Sequence, residues 1–491
     1  MERELYHPLL LNLKKYLTIN TETTSPGRKI GIVPLIAASA MFMENLDATV
    51  IVTALPAMAA TFGTTATSVS IGITSYMLAI AVVIPLSGWL AERLGTRNLL
   101  CGAIAVFTLA SVMCGLCDTL LGFTLCRLLQ GASAALMTPV ARLVVVRSTA
   151  KSELMRAIAI ITWPALIAPV LGPPLGGFLT TYTSWRWIFF MNVPIGLLGI
   201  VMTLKFVSQQ VATERRAFDF VGYVLIATAL AALMLGLQMA SDQHEHWVLA
   251  IALVSAGIAL GAVALRHIKR SRNALFDAAI LSIRSFTTSS ISGGFFSRLA
   301  ISATPFLLPL LFQVAFGMSA FNSGLMMLAY FMGNIGMKLV TTRIVRGLGF
   351  RAVLLGNGFA LAASVALCAA LQQSSSTVMI VAVLLVGGAC RSLQMTALNS
   401  LSFADVPTEQ AGGANMLASL TQQVASAVSV TLATGLLQLS LALRGGGGGL
   451  VALDFQWAFV GMGALALVAL LAYAKLSRDA GAQVSGHGKT S

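Results

Sequence analysis

The stretch Gly88-Trp89-Leu90-Ala91-Glu92-Arg93-Leu94-Gly95-Thr96-Arg97 has a second version later in the chain, Thr342-Arg343-Ile344-Val345-Arg346-Gly347-Leu348-Gly349-Phe350-Arg351. Each follows an apolar run of the length that carries a helix across a hydrocarbon core of about 30 Å, and Gly95-x-Arg97 recurs as Gly349-x-Arg351. A turn that repeats at the same place after two membrane-length runs marks a duplicated helical unit. Helices one to six then pair with helices nine to fourteen, and helices seven and eight are an inserted pair.

Working outward from the repeat, the runs that precede the insertion lie near 30–57, 68–91, 98–117, 120–146, 157–181 and 186–206. The inserted pair lies near 218–240 and 247–266, and the last six near 288–315, 321–342, 351–372, 376–401, 412–441 and 455–475. The runs lack the strand-length alternation of a membrane barrel, so backbone groups in lipid must be satisfied inside helices. The fold class is an all-α integral membrane protein of fourteen helices. Its divisions are a segment 1–29, a six-helix bundle 30–206, a linker with two helices 207–287, a second six-helix bundle 288–475 and a tail 476–491. Composition agrees: of 491 residues 57% are hydrophobic and 10% charged, whereas soluble domains carry about a quarter charged residues.

The net charge of +14 points to topology rather than nucleic acid, because the basic residues sit between apolar runs with no interleaved aromatic patch. With the N-terminus inside, one set of loops collects Arg93, Arg97, Arg147, Lys151, Arg156, Lys205, Arg215, Arg216, the Arg266–Arg272 cluster, Arg343, Arg346, Arg351, Lys475 and Arg478, and the other keeps Arg186 and Arg444. Cytoplasmic loops retain Lys and Arg, so both termini are expected in the cytoplasm. The first run is longer than a signal peptide's apolar core, so it reads as helix one. The six cysteines lie within or at the edges of helices and read as small apolar packing groups. His244-Glu245-His246 occupies a loop with no ligand-rich partner segment, so no metal site is expected.

Within helix one, Leu46-Asp47-Ala48-Thr49-Val50-Ile51-Val52-Thr53-Ala54-Leu55-Pro56 buries a carboxylate, which costs about 2.5–3.5 kcal/mol at a helix centre and is a functional candidate for that reason. Glu44, three residues earlier, shares its helix face, so the two could share or relay a proton. Arg127-Leu128-Leu129-Gln130-Gly131 lies in helix four, where Arg127 reaches a depth similar to that of Asp47. An Asp47–Arg127 pair is therefore expected, and its separation would free the carboxylate to take up a proton. Arg142, further along, is expected to snorkel to the inner interface. In helix five, Gly172, Pro173, Gly176 and Gly177 follow Ala168-Pro169 and suit close helix approach and kinking.

Together these segments resemble the major facilitator superfamily, and within it the fourteen-helix drug:H+ antiporter branch. The helix-one stretch is similar to LDxTIVNxALP with Thr53 at the usual Asn, Arg127 to Gly131 is similar to RxxQG, and Ala168 to Gly177 is similar to GxxxGPxxGG with Ala168 at the first glycine. The loop with Gly88, Glu92, Arg93, Gly95 and Arg97 is similar to GxLaDrxGrr, with Glu92 at the usual Asp. The resemblance implies proton coupling through Asp47, Glu44 and Arg127, conformational gating by the loop through ion pairing, and export rather than uptake from the helix-five motif.

In the second half, Arg298, Arg391, Gln394 and Asn399 are candidates for a substrate cavity, the two arginines for an anionic group. Gln313, Asn334, Asn415, Gln422 and Gln423 could line it or join helices. No nucleotide-binding loop, nucleophile elbow or zinc motif is present, so the expected energy source is the proton gradient, with no cofactor. The expectation is a monomeric exchanger of small molecules for protons in a bacterial inner membrane. Export of an organic anion or metal chelate is the alternative, and a non-transporting scaffold or sensor the reading from another class.

Overall fold

The computed structural model describes residues 31–149, 153–209, 218–241, 247–271, 275–407, 410–445, 448–477 and 479–482. The 1–29 segment, Lys151, Arg215, Arg216, His244-Glu245-His246, Arg272 and Arg478 lie outside the described residues. Met1–Ile32 divides from a single compact unit, Val33–Ser491, to which everything below refers.

The long helices are α1 (Ile32–Phe62), α2 (66–94), α3 (Thr96–Leu116), α4 (Leu120–Ser148), α5 (Leu154–Tyr182), α6 (Trp187–Phe206), α7 (Phe220–Ser241), α8 (Trp247–Arg270), α9 (Arg284–Ala315), α10 (320–348), α11 (350–370), α12 (Thr377–Ala404), α13 (Ala411–Leu443) and α14 (Ala452–Ala474). Twelve segments among the described residues are long and apolar enough to cross a membrane. One of them, Ala320–Ala370, is two spans that meet at Gly349, and the 29-residue Leu154–Tyr182 brings the number of spans to fourteen. No strand occurs among the described residues.

The repeat read from the loop is present in the backbone. Gly95 has φ 78° and ψ 149°, and Gly349 has φ 75° and ψ 161°, a conformation that side-chain-bearing residues avoid. The expected loop between α10 and α11 is absent for this reason: the chain turns on that one glycine. The preceding helices start alike, with Thr65 accepting from the Ser68 N–H and Ser319 from the Asn322 N–H; such caps satisfy first-turn donors that lack helical partners. Both halves then join two helices through a glycine set against a tyrosine carbonyl, Gly131 on Tyr76 and Gly388 on Tyr330.

The inserted pair is peripheral. The most apolar windows of α7 and α8 are only 22% and 17% buried, against 78% for α9. Helix α7 docks on α2 and α13, so it lies along one line where the halves meet.

At the end away from Arg93, Arg97 and Arg351 the halves are closed on each other. Gly177 of α5 lies against the backbone of Ala320 and Phe321, and Gly324 of α10 against the carbonyl of Pro173. Gln438 Nε2 donates to Thr67 Oγ1 at 2.8 Å, and Ser70 and Thr434 hydroxyls approach to 3.3 Å. Substituting Gly95 or Gly349 by Ala should cost about 1–3 kcal/mol each, read as a lower melting temperature of the detergent-solubilised protein, whereas Gly102→Ala on α3, with open space around its Cα, should leave it unchanged.

Candidate functional site

Inside the first half two opposite charges are buried together. Asp47 is 2% exposed and Arg127 0%, and Arg127 Nη1 meets Asp47 Oδ2 at 2.7 Å. The other carboxylate oxygen accepts from Gln130 Nε2 at 2.9 Å and from Asn192 Nδ2 at 3.0 Å. Arg127 also donates from Nη1 to Gln130 Oε1 at 2.7 Å and from Nε to the Gly72 carbonyl at 3.2 Å, and its guanidinium lies 4.1 Å from the Tyr76 ring centre. Asn192 donates in turn to Ser111 Oγ, which donates to the Phe189 carbonyl. The net ties α1, α2, α3, α4 and α6 together.

The expected Asp47–Arg127 pair is thus formed, but it is sealed. Glu44, one helical turn away, has the opposite situation: it is half-buried, accepts a hydrogen bond from the Thr138 hydroxyl, and lines a cavity of about 880 Å³. That cavity lies between the halves at the basic end, with α1, α2 and α4 on one side and α12 and α13 on the other. Arg142 lines it too and is exposed. Its side chain stands in the cavity instead of at the inner interface because α4 at this level faces the gap between the halves.

Of the four residues expected at the cavity in the second half, Asn399 alone is found there. Arg298 is buried behind it, donating to the Ser289 and Ser290 carbonyls at 2.9 and 3.4 Å and to Asn399 Oδ1 at 3.3 Å. After a first turn at Arg284–Phe286, α9 runs as a π-helix over Thr287–Ile291, the segment whose Ser289 and Ser290 carbonyls meet the guanidinium. Arg391 is held near the Tyr330 and Phe331 rings, 5.7 Å from each centre. Gln394 is fully buried, accepts from Asn357 Nδ2 at 2.9 Å and donates to Ser297 Oγ at 3.4 Å. These three serve the interior of the second half. Asn415, Gln422 and Gln423 do line the cavity.

The loop motif is present without its expected ion pair. Among the described residues the ion pairs are Asp47–Arg127, Asp118–Arg186, Asp219–His267 and Asp454–Arg444, and Glu92 is in none of them. Arg93 instead covers the Trp89 ring at 4.6 Å, and Gly88 has open space around it. With the halves apart at this end, no carboxylate among the described residues of the second half pairs with the loop. In α5, by contrast, the glycines are used as expected: a Cβ at Gly172 or Gly176 would overlap Thr49 and Val50 of α1, and one at Gly177 would overlap α10.

Asn192, Ser111 and Thr138 were not legible as site residues. Asn192 is a lone amide in an apolar run and Ser111 a small residue in another, so only the assembled bundle shows that they converge on Asp47.

Two repeated helical halves, an inserted pair and a cavity between the halves define a multi-pass membrane transporter. The chain belongs to the Major Facilitator Superfamily, whose sequence profile matches residues 37–430. Among curated relatives it is 35% identical over 404 residues to the Escherichia coli O6:H1 protein named for multidrug resistance, MdtD, covering 82% of this chain and 85% of that one. It is 37% identical over 403 residues to MdtD of Salmonella paratyphi A, with the same coverage. Among solved structures, a D-xylose-proton symporter matches with a TM-score of 0.65 at 15% identity over 91% of this chain and 98% of that one. The nucleoside transporter NupG matches with a TM-score of 0.59 at 12% identity over 91% and 100%.

Removing the Asp47 charge leaves Arg127 buried without its counter-ion. Loss of one partner of a buried pair costs about 3–5 kcal/mol, so Asp47→Asn should lower the melting temperature strongly. Glu44→Gln, which keeps an acceptor for Thr138, should leave it nearly unchanged.

Proposed function

We propose that the protein exports small organic molecules from the cytoplasm in exchange for protons, by alternating access of its two halves. The observation that carries this reading is the single acidic side chain among the described residues of the cavity: Glu44 faces water-accessible space while Asp47, one turn away, is saturated by three donors. A carrier must present its acid to solvent in order to load and unload a proton, and Glu44 meets that requirement in this state. Asp47 has a different part. Its pairing with Arg127 holds five helices as one body, so the half that carries Glu44 moves as a unit.

The access state follows from charge and closure. The cavity lies at the end that bears the basic loops, which is the cytoplasmic end by the positive-inside rule, and the other end is closed by α5 against α10. The protein is then in an inward-open state, ready to take cargo from the cell. The MdtD relatives, named for multidrug resistance, support export, and the resemblance of the helix-one and helix-five segments to the drug:H+ antiporter branch supports coupling.

In proteoliposomes with an internal pH dye, cargo added on the cytoplasmic face should move protons the opposite way. Glu44→Gln should abolish proton movement, while cargo-for-cargo exchange, weakened by loss of the carboxylate, should remain measurable because the rest of the cavity lining is intact. Full proton coupling in Glu44→Gln would overturn the assignment.

A further inference from the structure

The two walls of the cavity differ in chemistry. On the first-half wall stand one carboxyl and one guanidinium, Glu44 and Arg142. Thr138, which donates to Glu44, is one turn before Arg142 on α4, a rise of about 6 Å. Neither charge is spent on the other: among the described residues Glu44 and Arg142 form no ion pair. Among the described residues the facing wall carries no charge and is rich in carboxamides, Asn399, Asn415, Gln422 and Gln423, the last three spaced along one stripe of α13. Phe403 is the one aromatic side chain in the lining.

The first-half wall also carries Asn45 and apolar side chains such as Ile80, Ile84 and Leu143, but among the described residues the lining offers a flat lipophilic cation no aromatic face besides Phe403. Such a molecule gains from aromatic faces and apolar area, and against carboxamides it would strip water from donors and acceptors that it cannot satisfy. A ligand with its own amide or hydroxyl groups can satisfy them. Opposite charges a helical turn apart fit a ligand that carries both signs close together.

We infer that the preferred cargo is a small zwitterion of amino-acid or short-peptide type. Its ammonium sits on Glu44, its carboxylate takes the forked guanidinium of Arg142, and its amide and hydroxyl groups face the α12 and α13 carboxamides. The inference rests on the proton-exchange reading and sharpens it: an ammonium and a proton compete for the same carboxyl, and opposed binding at one site is the coupling an exchanger needs.

The test uses the full-length protein in proteoliposomes, with threonine, alanyl-alanine and the C-terminal amide of alanyl-alanine as probes and ethidium as the lipophilic cation. Counterflow of each probe and proton movement are measured separately. Threonine or alanyl-alanine should be carried better than ethidium. Arg142→Gln should weaken apparent affinity for alanyl-alanine by about tenfold or more, while the amide, which lacks the carboxylate, should change less than about twofold. Transport of ethidium with no zwitterion carried would overturn the inference, as would an equal effect of Arg142→Gln on alanyl-alanine and its amide. Zwitterion counterflow without proton movement would sustain the inference and sink the proton-exchange reading instead.

Discussion

The first half is organised around one carboxylate. Asp47 lies where a charge is least welcome, and it is tolerated because Arg127, Gln130 and Asn192 supply donors to both of its oxygens. A buried ion pair gains little net stability over apolar packing, but it makes every alternative arrangement of its helices expensive, since any one that separates the pair leaves a bare charge in a low-dielectric interior. The consequence is a rigid body built from α1, α2, α3, α4 and α6. Arg127 extends that body by donating to the Gly72 carbonyl and lying over Tyr76, both on α2.

The second half buries its interior arginine, Arg298, without a carboxylate beside it, the half's paired acid, Asp454, lying at the start of α14. Arg298 is 1% exposed, and its neighbours are the carbonyls of a π-turn and the Asn399 amide rather than an acid. Small residues do the joining elsewhere: Gly388 on Tyr330 and Gly333 on Leu385 within the half, and Gly324 on Pro173 across to the first half. In lipid, where apolar burial between helices gains little, close backbone approach through glycine is a main source of attraction. The contact of Gly177 and Gly324 with facing backbone is also the contact that closes one end of the protein. Because it consists of backbone against backbone, it can part and re-form without leaving a buried charge behind, unlike the Asp47 net. Rigidity within a half and separability between halves therefore come from different chemistries.

How much of this was legible in the sequence follows from the range of each signal. Helix number, the repeat and the inserted pair are local patterns of length, charge and glycine, and each was readable. The Asp47–Arg127 pair could be read because depth along two helices is simple arithmetic. Which residues face the cavity could not, because rotation about a helix axis within a bundle depends on all neighbours at once. Arg298 and Arg391 looked like cavity cations for the good reason that membrane interiors seldom tolerate an unpaired arginine; the structure meets that requirement with backbone carbonyls and aromatic rings, neither of which leaves a mark in the spacing. Arg142 was misread for the converse reason: nearness to a helix end suggests snorkelling only when that end meets lipid, and the end of α4 meets the gap between the halves. Glu92 failed to find its expected partner because that pairing belongs to an arrangement in which the basic ends of the halves are closer.

Glu44 and Asp47 are three residues apart on one helix, yet the bundle gives them different environments. Rotation by about 300° over three residues is enough to turn one toward the interior net and the other toward the cavity edge. In the proposed exchange of cargo for protons, the separation has a mechanical use. A single acid asked both to hold the bundle together and to exchange protons would loosen the bundle whenever it became neutral, since the arginine beside it would lose its counter-charge. Dividing the tasks lets Glu44 change charge with little consequence for packing, because its hydroxyl partner Thr138 can serve either form of the carboxyl. The cavity can then be loaded and unloaded while the half that forms its wall keeps its shape, and a change of charge at Glu44 acts on what the two halves present to each other rather than on the interior of one of them.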